Sequence, residues 1–150
     1  MTRLLSRALY LLPALLLLAA SQTAAQRMVS VAGDEVNMRS GAGTENPPTW
    51  ILSRGFPLRV IGSQGSWLKV MDFENDTGWI HRPLTSRTPH HIVSVKVANM
   101  RSEPSTGSRI IAKLAYGDVL KTLKHSGSWV KLQREGGLRG WVARRLLWGW

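Results

Sequence analysis

The chain has 150 residues, with 20 Lys/Arg against 9 Asp/Glu, a formal net charge of +11, and no cysteine. The missing thiols exclude disulfides, a cysteine nucleophile and cysteine-ligated metal. A basic balance of this size speaks about acidic partners and solubility rather than about fold.

Residues 1–25 read as an export signal. Arg3 and Arg7 form a basic start, residues 8–20 are apolar, and Thr23-Ala24-Ala25 offers small side chains for cleavage before Gln26. This apolar stretch falls short of the roughly 20 residues that span a bilayer, and no cysteine stands at the cleavage site for lipid attachment. The expected location is periplasmic or secreted, with cleavage after Ala25 and no transmembrane segment in the mature protein.

From residue 28 onward the apolar residues alternate over short runs bounded by Gly, Pro, Ser and Asn, which is the pattern of strands rather than helices. The first such runs are Val36-x-Met38, Leu58-x-Val60, Trp67-Leu68-Lys69-Val70 and Gly78-Trp79-Ile80. Gly41-Ala42-Gly43 breaks the chain after Arg39, and Gly55 turns it before Leu58. Asn37 reads as a turn former. The polar stretch Asp72 to Thr77 is a hairpin tip, so Leu68, Val70 and Ile80 share an inner face while Trp67, Lys69 and Trp79 share the outer one, with Lys69 opposite Trp79. Two tryptophans and a lysine facing outward mark either a contact surface or rings covered by loops and by neighbouring chain. Arg39, at a strand end, either clamps a ligand carboxylate with paired hydrogen bonds or ties a loop to the sheet.

Thr85-Ser86-Arg87-Thr88-Pro89 reads as a short polar linker, extended by His90-His91. Adjacent histidines on an extended chain point apart, and His81 and His125 lie elsewhere, so no metal site is expected, and no cofactor. Beyond the linker the chain repeats itself at a spacing of 62 residues. Asn37-Met38-Arg39-Ser40 returns as Asn99-Met100-Arg101-Ser102, Gly65-Ser66-Trp67-x-Lys69 as Gly127-Ser128-Trp129-x-Lys131, and Gly78-Trp79 as Gly140-Trp141, within seventeen ungapped identities. Val93-x-Val95-x-Val97, Leu120-x-Thr122-Leu123, Trp129 to Leu132 and Gly140-Trp141-Val142 are the strands expected of the second copy, and Asn99 its turn former. Two copies of one small fold follow.

The copies differ in a directed way. Residues 28–85 carry five Lys/Arg against six Asp/Glu, whereas residues 89–150 carry eleven against three. Trp50, Phe56 and Phe73 stand where the second copy has Ala112, Asp118 and Glu135. A division of labour is expected, with an apolar groove on the first copy and electrostatic attraction on the second. Trp148 and Trp150 alternate about Gly149 and, with Trp50, are candidates for an inter-copy seam or a partner surface.

The expected architecture is all-β: two tandem small barrels over residues 28–85 and 90–148, each of marginal size alone and so expected to pack on the other. The ordered set Asn-x-Arg-Ser, Gly-turned strand, Gly-x-Trp-x-Lys, Gly-Trp-Ile/Val, present twice, resembles the bacterial SH3 (SH3b) domain. Most such domains have Pro two residues after the Arg-Ser pair; Pro104 keeps it and Ala42 does not. The resemblance implies SH3-like barrels and a non-catalytic binding module for peptidoglycan or its peptides, with Arg39, Trp67, Lys69, Trp79, Arg101, Trp129, Lys131 and Trp141 as candidate ligand contacts. No G-x-S-x-G, H-E-x-x-H or phosphate loop suggests an enzyme. Two other readings stay open: an adaptor docking an envelope protein such as a wall hydrolase, and a polyanion binder using the basic copy on lipopolysaccharide phosphates or anionic lipid. Nucleic acid is not an expected partner of an exported chain.

Overall fold

The structure, a computed structural model, describes residues 27–150. The export signal expected over residues 1–25 lies outside them. The first half folds as β1 (Met28–Val31), β2 (Val36–Arg39), β3 (Pro48–Leu52), β4 (Pro57–Gln64), β5 (Trp67–Met71), β6 (Thr77–His81) and β7 (Thr85–Ser86). These pair in the order β3-β2-β6-β5-β4-β1-β7, with every pairing antiparallel. The second half runs β8 (His90–Val93), β9 (Val97–Arg101), β10 (Ile110–Ala115), β11 (Val119–Ser126), β12 (Trp129–Gln133), β13 (Arg139–Ala143) and β14 (Leu147–Gly149). Its order, β10-β9-β13-β12-β11-β8-β14, is the same topology. The fold is thus all-β in two equivalent units, as the repeat implies.

The repeat is a repeat of the core. Val31, Val36, Met38, Leu52, Leu58, Leu68, Val70 and Ile80 fill the first unit, and Val93, Ala98, Met100, Leu114, Leu120, Val130, Leu132 and Val142 fill the second, each 62 residues on. Val29 is the one further member of the first core; its counterpart in the second is His91, also buried. The Gly-Trp pairs have a steric cause. A Cβ on Gly78 would sit 2.6 Å from Met38 Cγ and 3.0 Å from the Arg39 carbonyl oxygen; on Gly140 it would sit 2.5 Å from Met100 Cγ and 2.9 Å from the Arg101 carbonyl oxygen. Only glycine lets β6 cross β2, and β13 cross β9, closely enough to bend the sheet. Gly55 and Gly117 hold φ of +82° and +85° in the turns before β4 and β11, a backbone region that costs glycine little.

Several elements differ from the sequence expectation. Each unit has seven strands, where the alternation marks four runs per copy. The run Val93-x-Val95-x-Val97 is divided, since β8 ends at Val93 and β9 begins at Val97. Asn37 and Asn99 are mid-strand residues and form no turn, because their neighbours Val36, Met38, Ala98 and Met100 are core residues that hold the backbone extended. Thr85 and Ser86 belong to β7, and His90 and His91 to β8, which leaves residues 87–89 as the linker.

The two units pack on each other where β4 meets β8 and β14. All of β1 and most of β8 are buried, and Ser30 Oγ reaches from one to the other: it donates to the Thr88 carbonyl oxygen at 2.5 Å and lies 3.1 Å from His90 Nδ1. The Thr122 amide bonds the Pro89 carbonyl oxygen at 3.0 Å, tying the linker to the second unit. Phe73 stacks on Phe56 (centroids 6.1 Å) and on Tyr116 of the second unit (5.2 Å), whose hydroxyl donates to the Glu74 carboxylate. Trp148 stands in β14 where Ser86 stands in β7, and its ring lies 5.4 Å from Arg59 Cζ of the first unit.

Candidate functional site

The β5–β6 register sets the outer face of the first unit. Lys69 pairs with Trp79 and Trp67 with His81, and Trp79 also pairs with Arg39 at the single contact between β6 and β2. Directly opposed residues project to the same side, so Arg39, Trp79 and Lys69 form one row, and Trp67 and His81 form the next, their rings 5.0 Å apart. The second unit repeats the row as Arg101, Trp141 and Lys131, with Lys131 Nζ 6.0 Å from the Trp141 ring centroid. Trp129 there pairs with Ala143, so it has no ring beside it in that strand pair.

Where the first unit's row of Arg39 meets the pair Trp67–His81, a groove of about 480 Å³ opens. Val36, Trp67, His81 and Leu84 supply its apolar and aromatic surface; Asn37, Arg39 and Thr44 supply hydrogen-bonding groups; Glu35 and Glu45 supply two carboxylates. The wall formed by residues 40–46 is fixed by Arg39, whose Nη1 donates to the Asn46 carbonyl oxygen at 2.8 Å and to that of Thr44 at 3.2 Å. Arg101 holds the matching loop through Ser108 O at 2.8 Å. Arginine therefore ties a loop in both units, and in the first it also lines the groove.

The groove gathers Arg39 and Trp67 among the residues expected as ligand contacts. Trp79 and Lys69 lie in the adjoining row, outside its lining. Trp50 sits on edge strand β3, 53% exposed beside Ile51 at 67%. Trp148 and Trp150 lie at the chain end, half-buried, Trp148 over Arg59. The sequence reading missed His81, Glu35, Glu45 and Leu84. Register with Trp67 was the signal for His81: strand alternation puts it on the same outer face as Trp79. The two glutamates had no such signal, since they flank strand β2 at its start and the loop after it, and come together only through the bend.

The positions that line this groove carry different chemistry in the second unit. Val97, Gly107 and Ala143 occupy the places of Glu35, Glu45 and His81, while Arg101, Trp129 and Leu146 repeat Arg39, Trp67 and Leu84. The two carboxylates and the imidazole are thus peculiar to the first groove. A site with two carboxylates, one guanidinium and paired rings is suited to a short zwitterionic chain, whose ammonium, carboxylate and methyl groups each find a matching surface.

The histidines expected in the linker have other roles. His90 Nδ1 is 2.9 Å from the Thr88 carbonyl oxygen, and burial lowers its pKa. His91 is 2% exposed, shares a 2.6 Å hydrogen bond with Thr122 Oγ1, and packs 5.5 Å from the His125 ring. Burial, reinforced by the charge of His125, lowers its pKa to about 4. Among the described residues no group of three or more His, Cys, Asp or Glu is placed to hold a metal ion, and no helix is long and apolar enough to cross a membrane.

Comparison with known proteins matches residues 32–87 and residues 96–147 separately to families described as bacterial SH3 domain. Over 134 residues the chain is 26% identical to YrvJ of Bacillus subtilis (strain 168), named as a candidate N-acetylmuramoyl-L-alanine amidase. The match covers 82% of this chain and 26% of that protein, so the chain spans about a quarter of its relative. Among solved structures, NlpC2 from Trichomonas vaginalis is 19% identical over 83% of this chain and 48% of its own, with a TM-score of 0.36. An NlpC/P60 family protein from Bacillus cereus ATCC 10987 is 12% identical over 83% and 56%, with a TM-score of 0.37.

Proposed function

Because the chain belongs to the bacterial SH3 domains and carries two of them in tandem, we propose that it is a non-catalytic binding module of the bacterial cell envelope that recognises peptides of peptidoglycan. The observation that carries this reading is the groove of the first domain, where Arg39, Trp67 and His81 meet Glu35 and Glu45. The name of the matched amidase supports the ligand class, since it denotes the bond between a wall sugar and its peptide. On this reading residues 1–25 direct export, and the mature chain works in the periplasm or outside the cell. The peptide lies across the groove with its ammonium toward the glutamates and its carboxylate toward the free edge of Arg39, while Trp67 and His81 pack its side chains.

Co-sedimentation of the purified protein with peptidoglycan sacculi, in low and high salt, tests this. Screening acts over ~8 Å at physiological ionic strength, so groove recognition persists in high salt whereas charge attraction alone does not. Retention in high salt that is lost in His81→Ala and Glu45→Gly supports the groove; both substitutions install residues the second domain already carries at Ala143 and Gly107. Absence of high-salt retention sinks the reading. The exposed edge strand β3, with Trp50 and Ile51, favours a second role as an adaptor for an envelope protein. A saturable cross-linked partner lost in Trp50→Ala is its test.

A further inference from the structure

The second domain carries a face that its fold does not require. On β11, β12 and β13 two rows of directly opposed residues run across the strands: Lys121, Gln133 and Arg139 in one, and Lys124, Lys131 and Trp141 in the other, continued on β9 by Arg101. A bulge between Thr122 and Lys124 returns Lys124 to the side that Lys121 occupies. Five cations therefore project from one face, with Lys131 Nζ 6.0 Å from the Trp141 ring centroid. Of the three acids of this domain, Glu103 lies in the β9–β10 connection, away from the second row, while Asp118 and Glu135 share with Lys121 and Gln133 a cavity beside the first domain's Asp34. The one ion pair among the described residues is Arg54–Asp34 in the first domain.

The first domain is the control. The same scaffold there has Gly62 where Lys124 stands and Thr77 where Arg139 stands, and Arg59, the counterpart of Lys121, is covered by Trp148. The fold is built without Lys124 and Arg139, so these two charges answer another demand. Lys124 and Lys131 are moreover directly opposed across the β11–β12 ladder, an arrangement of like charges that destabilises a sheet; the corresponding pair in the first domain, Gly62 and Lys69, has no such repulsion. Gln133 Oε1 accepts from Arg139 Nε at 3.2 Å, which holds that guanidinium over the face.

We infer that the β9–β13–β12–β11 face of the second domain binds a linear polymer of repeated phosphate charges, laid across the strands. Neighbouring strands are ~4.8 Å apart, so Arg101, Lys131 and Lys124 form a straight row roughly 14 Å long. A row matches a linear polyanion better than a bilayer, because its apolar side chains are limited to Trp141 and, beyond Arg101, the exposed Ile110 of β10, less than the continuous apolar face that anchors a protein in lipid. The β13–β9 margin carries Arg139 and Arg101 and the β11 margin Lys121 and Lys124, and arginine suits bidentate phosphate contact. The proposal is independent of the groove reading, which concerns the other domain.

The test is a titration of the purified protein with long-chain inorganic polyphosphate over a series of salt concentrations. Each phosphate contact contributes a slope of about 0.7 in log K against log salt on a single-stranded polyanion. Lys124→Gln/Arg139→Gln should therefore lower the slope by about 1.4, while its melting temperature stays level or rises as the repulsion at Lys131 is relieved. Lys96→Gln/Arg145→Gln removes the same charge from the same domain outside the two rows and should leave most of the slope. An equal loss in both variants overturns the proposal in favour of net charge alone. Binding to phosphatidylglycerol vesicles without binding to polyphosphate overturns it in favour of a bilayer.

Discussion

His91 gives the sharpest test of how the second domain is packed. It occupies the core-facing position that Val29 fills in the first domain, and it is almost wholly buried. Its surroundings disfavour a proton: burial dominates, His125 lies 5.5 Å away, and Arg144 and His90 add positive charge, against which one hydrogen bond with the Trp150 main chain works the other way. In the folded protein the imidazole titrates at about 4, whereas in the unfolded chain it titrates near ~6.5. Between those values the unfolded chain binds a proton that the native state does not, so stability falls as pH drops. The loss is complete near the folded value and comes to about 3 kcal/mol at pH 4. For a domain of this size that lowers the melting temperature by on the order of 10 °C or more. His91→Val, which installs the first domain's residue, removes this contribution. Urea midpoints measured from pH 7 to pH 4 are the assay, and the slope rather than the absolute stability is the readout. His90, whose pKa burial also lowers, leaves a weaker slope of the same sign in the variant. An unchanged pH dependence in His91→Val would refute the assignment.

Two further outcomes follow from packing. Gly140→Ala should cost about 1–3 kcal/mol, since its Cβ would overlap Met100 and the Arg101 carbonyl oxygen. Gly107→Ala, whose nearest neighbour is Ser105 Oγ at 3.7 Å, should change stability by no more than about 0.5 kcal/mol in thermal unfolding. Trp148→Ala should destabilise by about 1–2 kcal/mol through loss of the ring over Arg59, with Trp148→Phe intermediate by the same measurement.

What the sequence made legible is whatever repeats or alternates. The eight matched core positions recur at one spacing, and the period of two put Trp67, Lys69 and Trp79 on one face. β1 stayed hidden because Met28, Val29, Ser30 and Val31 are all buried: a strand covered on both faces has no alternation to show. β3 stayed hidden for the opposite reason, since it begins at Pro48 and leaves four of its five residues exposed. Of the groove, Arg39 and Trp67 were visible as repeated residues. His81 was not, because the comparison with Ala143 made it a mismatch; the differences between copies on a shared face carry the site as much as the identities do. The stacking of Phe73 on Tyr116 depends on how the copies sit together, which no pattern within either copy encodes.

That stacking has a consequence for how the two domains unfold. Each is about the size at which a single core is marginal on its own, and neither contains a disulfide to compensate. Phe73 belongs to the β5–β6 hairpin tip, away from the first domain's core cluster, yet it bridges Phe56, which packs on that core, and Tyr116, which belongs to the second domain. With Ser30 reaching Thr88 and Trp148 covering Arg59, it makes the pair one cooperative unit. Phe73→Ala removes both ring contacts while leaving every core residue in place. Calorimetry of the parent protein should give one transition with equal van't Hoff and calorimetric enthalpies. In Phe73→Ala combined with Trp148→Ala the van't Hoff value should fall below the calorimetric one as the domains melt separately. A single transition with matching enthalpies and an unchanged midpoint in the double variant would show that the packing of β4 on β8 and β14 couples the domains, and that the aromatic bridge contributes nothing to their union.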